Sequence, residues 1–230
     1  MKQVATYSYE NRIRSKNPVY TKGEEIFNAV SHIVGGALGL AILITLIVFA
    51  YPNGSYMAAA CAFGISVIVL YTMSALYHFL PRGTGKKVFR IFDHCTIFLL
   101  IAGTYTPYCV IALGLSPLGI AILAAEWTLA VLGITGNAIA MNNKVIKGFS
   151  MAFYCVMGWL ILIAFGELMQ NLTITEFLLL LFGGLAYTLG IVFYAFGKRV
   201  KYFHSVWHLF DVAGTALQFA SILLILLGNG

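Results

Sequence analysis

Two hundred and thirty residues would suit one or two soluble domains, but 60% of them are apolar and only 10% are charged. A soluble domain is about 25% charged, so this composition excludes soluble globular, disordered and fibrous proteins. The net charge of +6 does not indicate nucleic-acid binding, because the basic residues lie in short runs between apolar stretches. The chain is predicted to be an integral membrane protein.

Apolar runs long enough to cross a bilayer recur along the whole chain. A hydrocarbon core of ~30 Å requires about 20 helical residues. Seven runs meet this length, at residues 29–51, 56–80, 91–113, 117–138, 149–169, 175–197 and 206–228. The connections between them are short and leave no room for a second folded domain. We therefore expect an all-α integral membrane fold: a tail over 1–28, followed by a bundle of seven transmembrane helices over 29–230.

The basic residues predict the orientation of this bundle. All fourteen lie in the tail and in alternate loops, at 81–90, 139–148 and 198–205, while the other loops and the C-terminus contain none. Loops rich in Lys and Arg remain in the cytoplasm. The N-terminus is predicted to be cytoplasmic and the C-terminus external.

Ionisable residues inside the predicted spans are few, and such residues are costly in a membrane unless they serve a function. They are His32, His78, Asp93, His94, Glu126, His204, His208 and Asp211, with Glu25 and Asn28 just before the first span. In the predicted topology, all except Glu126 and Asp211 lie at the cytoplasmic ends of their helices. Histidines buried at random would not share one leaflet.

The spacing of two histidines indicates a metal site. His204 and His208 are four residues apart, so they lie on one helical face and can bind one ion. His78 lies at the same depth, and three imidazoles with water in the fourth position form an open zinc site. The alternative is a pair of interfacial histidines near lipid head groups.

Several short segments resemble the hemolysin III family, the bacterial branch of the progestin and adipoQ receptors. They are Ser74-Ala-Leu-Tyr-His78, Phe92-Asp93-His94, His204-Ser-Val-Trp-His208, Glu25-Ile-Phe-Asn28-Ala-Val-Ser31-His32 and Ala102-Gly-Thr-Tyr-Thr-Pro107. The resemblance implies a multi-pass protein of the bacterial inner membrane. It also implies Zn²⁺ held by His78, His204 and His208, with Ser74 and Asp93 around the metal-bound water.

Two functions are compatible with these residues. The first is a zinc-dependent hydrolase of a lipid amide or ester, similar to the ceramidases, with a membrane lipid as its substrate. Asp93 is then the general base, and Ser74 donates to the developing oxyanion or orients the water. Their alternative structural roles would be a helix N-cap for Asp93 and a hydroxyl bonded to its own helix for Ser74. The second is a non-enzymatic hemolysin III protein, a pore-former or a regulator of the membrane, with structural zinc. No protein partner can be predicted.

The remaining polar residues are expected to surround this site or to lie apart from it. Glu25, Asn28 and His32 share one helical face and are predicted to line the same cavity. Asp211 shares the face of His204 and His208, where it could orient an imidazole. His94 is expected beside the site without binding the metal. Glu126 lies in the outer half, either protonated and hydrogen-bonded or part of a proton path.

Overall fold

The structure, a computed structural model, describes residues 20–228. Within this range seven helices are long and apolar enough to cross a membrane, which confirms the predicted number of spans and the fold class. They are α1 (Lys22–Ala50), α2 (Gly54–Phe79), α3 (Thr84–Ala112), α4 (Pro117–Ala140), α5 (Lys144–Asn171), α6 (Ile174–Phe196) and α7 (Phe203–Gly228). Of the predicted tail, residues 1–19 lie outside the described range.

Three helices begin earlier than the apolar runs predict. Helix α1 begins at Lys22 instead of residue 29, α3 at Thr84 instead of 91, and α5 at Lys144 instead of 149. Lys and Arg are good helix formers, and their long side chains can keep the charge in water while the stem packs along apolar surface. Basic residues expected in loops, among them Arg90 and Lys147, therefore lie on the first turns of helices.

Helices α1, α2, α3 and α7 form the part of the bundle that carries most of the polar residues. Helix α1 packs against α2 and α7, α2 packs against α3, and α6 packs against α7. Helices α5 and α6 contact one another only sparsely. Below, the end of the bundle at which α1, α3, α5 and α7 begin is called the basic end.

Glycine residues allow α2 to approach both α1 and α3 closely. A Cβ atom added at Gly103 of α3 would lie 2.7 Å from the carbonyl oxygen of Ala62 in α2, and one at Gly64 of α2 would lie 2.9 Å from Cα of Leu43 in α1. Only glycine permits such an approach of two helix backbones, as expected in a lipid-embedded bundle. The close packing fixes the heights of α1, α2 and α3 relative to one another.

Two helices change type before they end. In α3 the α-helical geometry extends to Pro107 and is followed by a π-helical turn over Tyr108–Ala112. Helix α5 contains a 3₁₀ turn over Ile161–Ala164 before it resumes as an α-helix over Phe165–Asn171. Both irregular turns lie toward the end opposite the basic end.

Candidate metal centre

Three histidines from two helices meet at the basic end. His78 ends α2, while His204 and His208 lie on the first turns of α7, and all three are buried. One ring nitrogen of each lies within 4.8 Å of the others, so the group could hold a metal ion. The Nε2 atoms of His204 and His208 are 3.2 Å apart. Two imidazoles on a tetrahedral zinc, with Zn–N bonds of about 2.0–2.1 Å, would place their nitrogens at a similar separation.

The orientation of His78 is set by residues from α1 and α3. Its Nδ1 lies 2.8 Å from Oε2 of Glu25. The other oxygen of Glu25 is 2.9 Å from the ammonium of Lys86, which also donates to the carbonyls of Tyr77, His78 and Leu80 at the end of α2. A carboxylate accepts hydrogen bonds, so it places the imidazole proton on Nδ1 and leaves the lone pair of Nε2 facing the other histidines.

The chemistry of His78 fits a metal ligand. Its Nε2 atom is buried and has no hydrogen-bond partner among the described residues. Buried polar atoms almost always have a partner, because an unpaired one has lost its hydrogen bond to water. A divalent cation shared with His204 and His208 would satisfy this atom.

Helix α1 also contacts the α7 side of the site. Oε1 of Glu24 accepts the backbone N–H of Tyr202 at 2.9 Å, just before α7 begins. Tyr202 has φ of 62°, a left-handed conformation that is uncommon for non-glycine residues, and this hydrogen bond stabilises it. Ser205 donates to Asn28 at 2.6 Å, and Oγ of Ser31 lies 3.4 Å from Nδ1 of His208. The start of α7 is therefore held against the polar face of α1.

Ser74 and Asp93 lie beside the histidines. They line a cavity of about 20 Å³ together with His204 and His208. Helices α2 and α3 thus place a hydroxyl and a carboxylate next to the two α7 imidazoles. This cavity is called the metal-side cavity below.

The other polar residues predicted around the site occupy different positions. His32 and His94 both line the metal-side cavity, and neither belongs to the group of three that could share an ion. The ring of His32 stacks on His208 with centroids 3.7 Å apart. Asp211 lies 3.8 Å from Nε2 of His32, so its nearest imidazole is His32 and not a member of the group of three.

Tyr20 is a part of the site that the sequence did not indicate. It is buried, and its ring stacks on the ring of His204 with centroids 4.7 Å apart. The centroids of the Tyr20 and His78 rings are 5.6 Å apart. It precedes the first helix, in a polar segment without a metal-binding pattern. No local signal could have placed it over the imidazoles.

An apolar cavity adjoins the site where α5 and α6 contact sparsely. It has a volume of about 80 Å³ and shares Ile97, Tyr194, Trp207 and Asp211 with the metal-side cavity. Its remaining walls are mainly apolar side chains of α3, α5 and α6. We call it the lateral cavity.

Glu126 lies apart from this site, as predicted. Its side chain is fully buried in α4, and neither carboxyl oxygen has a hydrogen-bond partner among the described residues. Of the two alternatives that the sequence left open for Glu126, a hydrogen-bonded carboxyl is therefore not observed within residues 20–228.

Comparison with known proteins places the chain in a family. The model of the haemolysin-III related family matches residues 20–219. The chain belongs to the haemolysin III family. Hemolysin-3 of Bacillus cereus is 41% identical over 206 residues, which cover 89% of this chain and 92% of that protein. A Hemolysin-3 homolog of Bacillus subtilis (strain 168) is 36% identical over 207 residues, covering 89% and 95%.

A more distant similarity extends outside bacteria. The monocyte to macrophage differentiation factor of Homo sapiens is 24% identical over 169 residues, which cover 71% of this chain and 68% of that protein. The haemolysin III match at residues 20–219 contains the three histidines, Ser74 and Asp93, so the whole candidate centre lies within the family domain. The resemblance inferred from short segments is confirmed over nearly the whole described chain.

Proposed function

We propose that this haemolysin III protein is a zinc-dependent hydrolase that cleaves an amide or ester bond of a lipid in the bacterial inner membrane. One observation carries the proposal. Three buried imidazoles can share an ion, and two of them, His204 and His208, line one small cavity with a hydroxyl and a carboxylate. This cavity shares walls with an apolar cavity between helices. An open site with a carboxylate beside it is typical of hydrolytic metal centres.

The three histidines would hold the metal. Buried neutral imidazoles suit Zn²⁺, and with only three of them a coordination position remains open. Bound zinc would supply Lewis-acid activation of water and of the scissile carbonyl. Glu25 and Ser31 would keep the rings of His78 and His208 in place through their Nδ1 atoms.

Asp93 and Ser74 would carry out the proton chemistry. The carboxylate of Asp93 can accept the proton of the attacking water and later deliver it to the leaving group. The hydroxyl of Ser74 lines the same cavity as Asp93 and could donate to the developing oxyanion. Both roles require only small side-chain movements, because the two groups already line the same cavity.

The lateral cavity supports a lipid substrate. Its walls are mainly apolar, and it lies where α5 and α6 contact sparsely, so an acyl chain could reach it from the bilayer. The walls shared with the metal-side cavity would place a bond near the head of that chain close to Asp93. A water-soluble substrate would gain nothing from such an entrance.

The decisive experiment replaces the carboxylate of Asp93 without changing its shape. Asp93→Asn should keep its zinc, measured by elemental analysis of the purified protein, and lose about 100- to 10,000-fold in hydrolysis of a panel of lipid amides and esters. Asp211→Asn is the matched control, because Asp211 lines the same cavity and its nearest imidazole, His32, lies outside the group of three. Its effect on hydrolysis should be much smaller.

Two results would contradict the proposal. Loss of zinc from Asp93→Asn would make Asp93 a ligand and the metal structural. If the wild-type protein hydrolyses no member of the panel while Asp93→Asn abolishes its cellular effect, a non-enzymatic regulator or pore-former with structural zinc takes its place.

A further inference from the structure

A second polar cavity lies at the basic end, next to the metal-side cavity. It has a volume of about 200 Å³, and three of its lining residues are basic: Arg90 of α3, Lys147 of α5 and Lys198 of the segment after α6. None of its lining residues, all within the described range, is acidic. We call it the basic cavity.

The three positive charges converge although they come from distant parts of the sequence. Burial, together with the charges of Lys147 and Arg90, lowers the pKa of the Lys198 ammonium. Among the described residues, neither Lys147 nor Lys198 forms a salt bridge. Arg90 also interacts electrostatically with the carboxylate of Asp93, so the argument depends on the two lysines. Gathering like charges costs free energy unless an anion compensates for them, so Lys147 and Lys198, next to Arg90, favour an anionic ligand.

Polar groups and hydrogen bonds shape the wall of this cavity. Ser150 donates to Asn137 at 2.8 Å, and Asn137 in turn lies 3.4 Å from the hydroxyl of Tyr154. That hydroxyl donates to the carbonyl of His94 at 2.8 Å. Helices α3, α4 and α5 are therefore tied together around the cavity, and the wall that carries Arg90 and Lys147 is held in place.

The basic cavity adjoins both cavities of the proposed active site. It shares His94 and Tyr194 with the metal-side cavity, and Met151, Tyr154 and Tyr194 with the lateral cavity. Tyr20 lines it and also stacks on His204. A molecule with its chain in the lateral cavity could therefore place its head group among the three cations.

We propose that the basic cavity binds a phosphate group carried by a single-chain lipid. Lysine ammonium and arginine guanidinium are the usual protein partners of phosphate. The cavity is smaller than the ~300–1,000 Å³ typical of sites that enclose a whole drug-sized ligand, so it suits a head group whose chain lies elsewhere. The inference rests on the proposed function only in naming a feature of its substrate, because the binding itself requires neither zinc nor hydrolysis.

The test measures binding of lysophosphatidic acid to the purified protein in an uncharged detergent, by microscale thermophoresis. A monoacylglycerol with the same chain, which lacks the phosphate, is the matched ligand. Lysophosphatidic acid should bind in preference to the monoacylglycerol. Lys147→Gln and Lys198→Gln should each weaken its binding about fivefold, and the double variant about 25-fold.

Neighbouring lysines provide the matched control variants. Lys144→Gln and Lys201→Gln remove the same charge from the same two segments, but these side chains are exposed and do not line the basic cavity. They should change the affinity by less than about twofold, because exposed charges are screened by salt. Equal weakening by all four substitutions would mean that the surface as a whole attracts the lipid, and it would overturn the site.

Two further arms separate the source of the phosphate and the role of the metal. If inorganic phosphate displaces the lipid at the concentration at which the lipid itself binds, the ligand is free phosphate and the lipid part of the proposal is wrong. The wild-type protein freed of metal with a chelator should bind lysophosphatidic acid like the untreated protein. Binding without hydrolysis would contradict only the proposed function, and hydrolysis without phosphate-dependent binding would contradict only this inference.

Discussion

The two ends of the bundle treat buried ionisable side chains in different ways. At the basic end, residues of four helices converge on shared partners: Glu25 bonds His78 and Lys86, and Ser74 and Asp93 line one cavity with His204 and His208. The buried atoms without a partner among the described side chains at this end, such as Nε2 of His78, face this cluster of imidazoles. Toward the opposite end, Glu126 is buried without a hydrogen-bond partner among the described residues. Burial alone therefore does not identify a site in this protein, whereas convergence of several helices on shared partners does.

The other two acidic residues toward the opposite end form hydrogen bonds at the starts of helices. Glu176 forms a capping box with Thr173 at the start of α6, and Glu167 accepts the hydroxyl of Ser116 at 2.6 Å, next to the start of α4. No basic residue of the described chain lies in the connections at that end. The acidic residues there form hydrogen bonds at helix ends, whereas polar residues at the basic end line the metal-side cavity and the basic cavity. The predictions below test this difference.

The largest expected effect concerns the orientation of the two ends. The distribution of fourteen basic residues predicts a cytoplasmic basic end, with the C-terminus outside. Reporters active only in the cytoplasm or only outside it, fused after Gly230, should give an all-or-none external signal. A cytoplasmic signal at Gly230 would mean that the positive-inside distribution does not set the topology.

Removing one imidazole should have the next largest effect. His78→Ala, His204→Ala and His208→Ala should each lose most of the bound zinc, since two remaining imidazoles cannot complete a closed or an open site. The measurement is zinc content per protein after purification. His94→Ala is the control, because His94 lines the same cavity outside the group of three. Equal zinc in all four variants would show that the metal is bound elsewhere or not at all.

A smaller effect is expected from the carboxylate behind His78. Glu25→Gln keeps the size of the side chain but weakens the hydrogen bond that holds the proton on Nδ1. Loss of such a partner typically reduces metal affinity about 10- to 100-fold. Competition with a zinc chelator would measure the change, and the protein should remain folded.

The matched control for this variant is Glu167→Gln. Glu167 also accepts a hydrogen bond from another helix, but it lies at the opposite end. Its substitution should leave zinc affinity unchanged. If Glu25→Gln binds zinc as tightly as the wild type, Glu25 serves only to pair Lys86 and to close the end of α2.

The sequence was sufficient for the features that depend on hydrophobic thickness and helical period. Seven spans followed from seven apolar runs, and the i, i+4 spacing of His204 and His208 placed both rings on one face of α7. Depth in the membrane then indicated that His78 and Asp93 would lie near them. These properties are local, or depend on one coordinate only.

Contacts that depend on packing could not be predicted in the same way. The stacking of Tyr20 on His204 and the hydrogen bonds from Lys86 to the end of α2 arise from how short segments fold over the helix ends. The early starts of α3 and α5 brought Arg90 and Lys147 onto helices, and only the arrangement of α3, α5 and α6 shows that they share a cavity with Lys198. The distribution of charges along the sequence predicts how deep a residue lies in the membrane, but it does not predict which residue of another helix lies beside it.

The smallest effect should come from Glu126, and it should have the opposite sign. A buried carboxyl without a partner has lost its hydrogen bonds to water and gained none, so Glu126→Met, which is apolar and similar in length, should raise the free energy of unfolding by about 1–3 kcal/mol. Zinc content should not change, because Glu126 contributes to none of the three cavities.

Glu176→Met is the matched control and should lower stability by about 1 kcal/mol, since it removes a capping box. Reversible unfolding in mixed detergent would measure both. Destabilisation by Glu126→Met would mean that the carboxyl has a partner beyond the described side chains, such as a bound cation or water, and that the end opposite the histidines also contains a polar site.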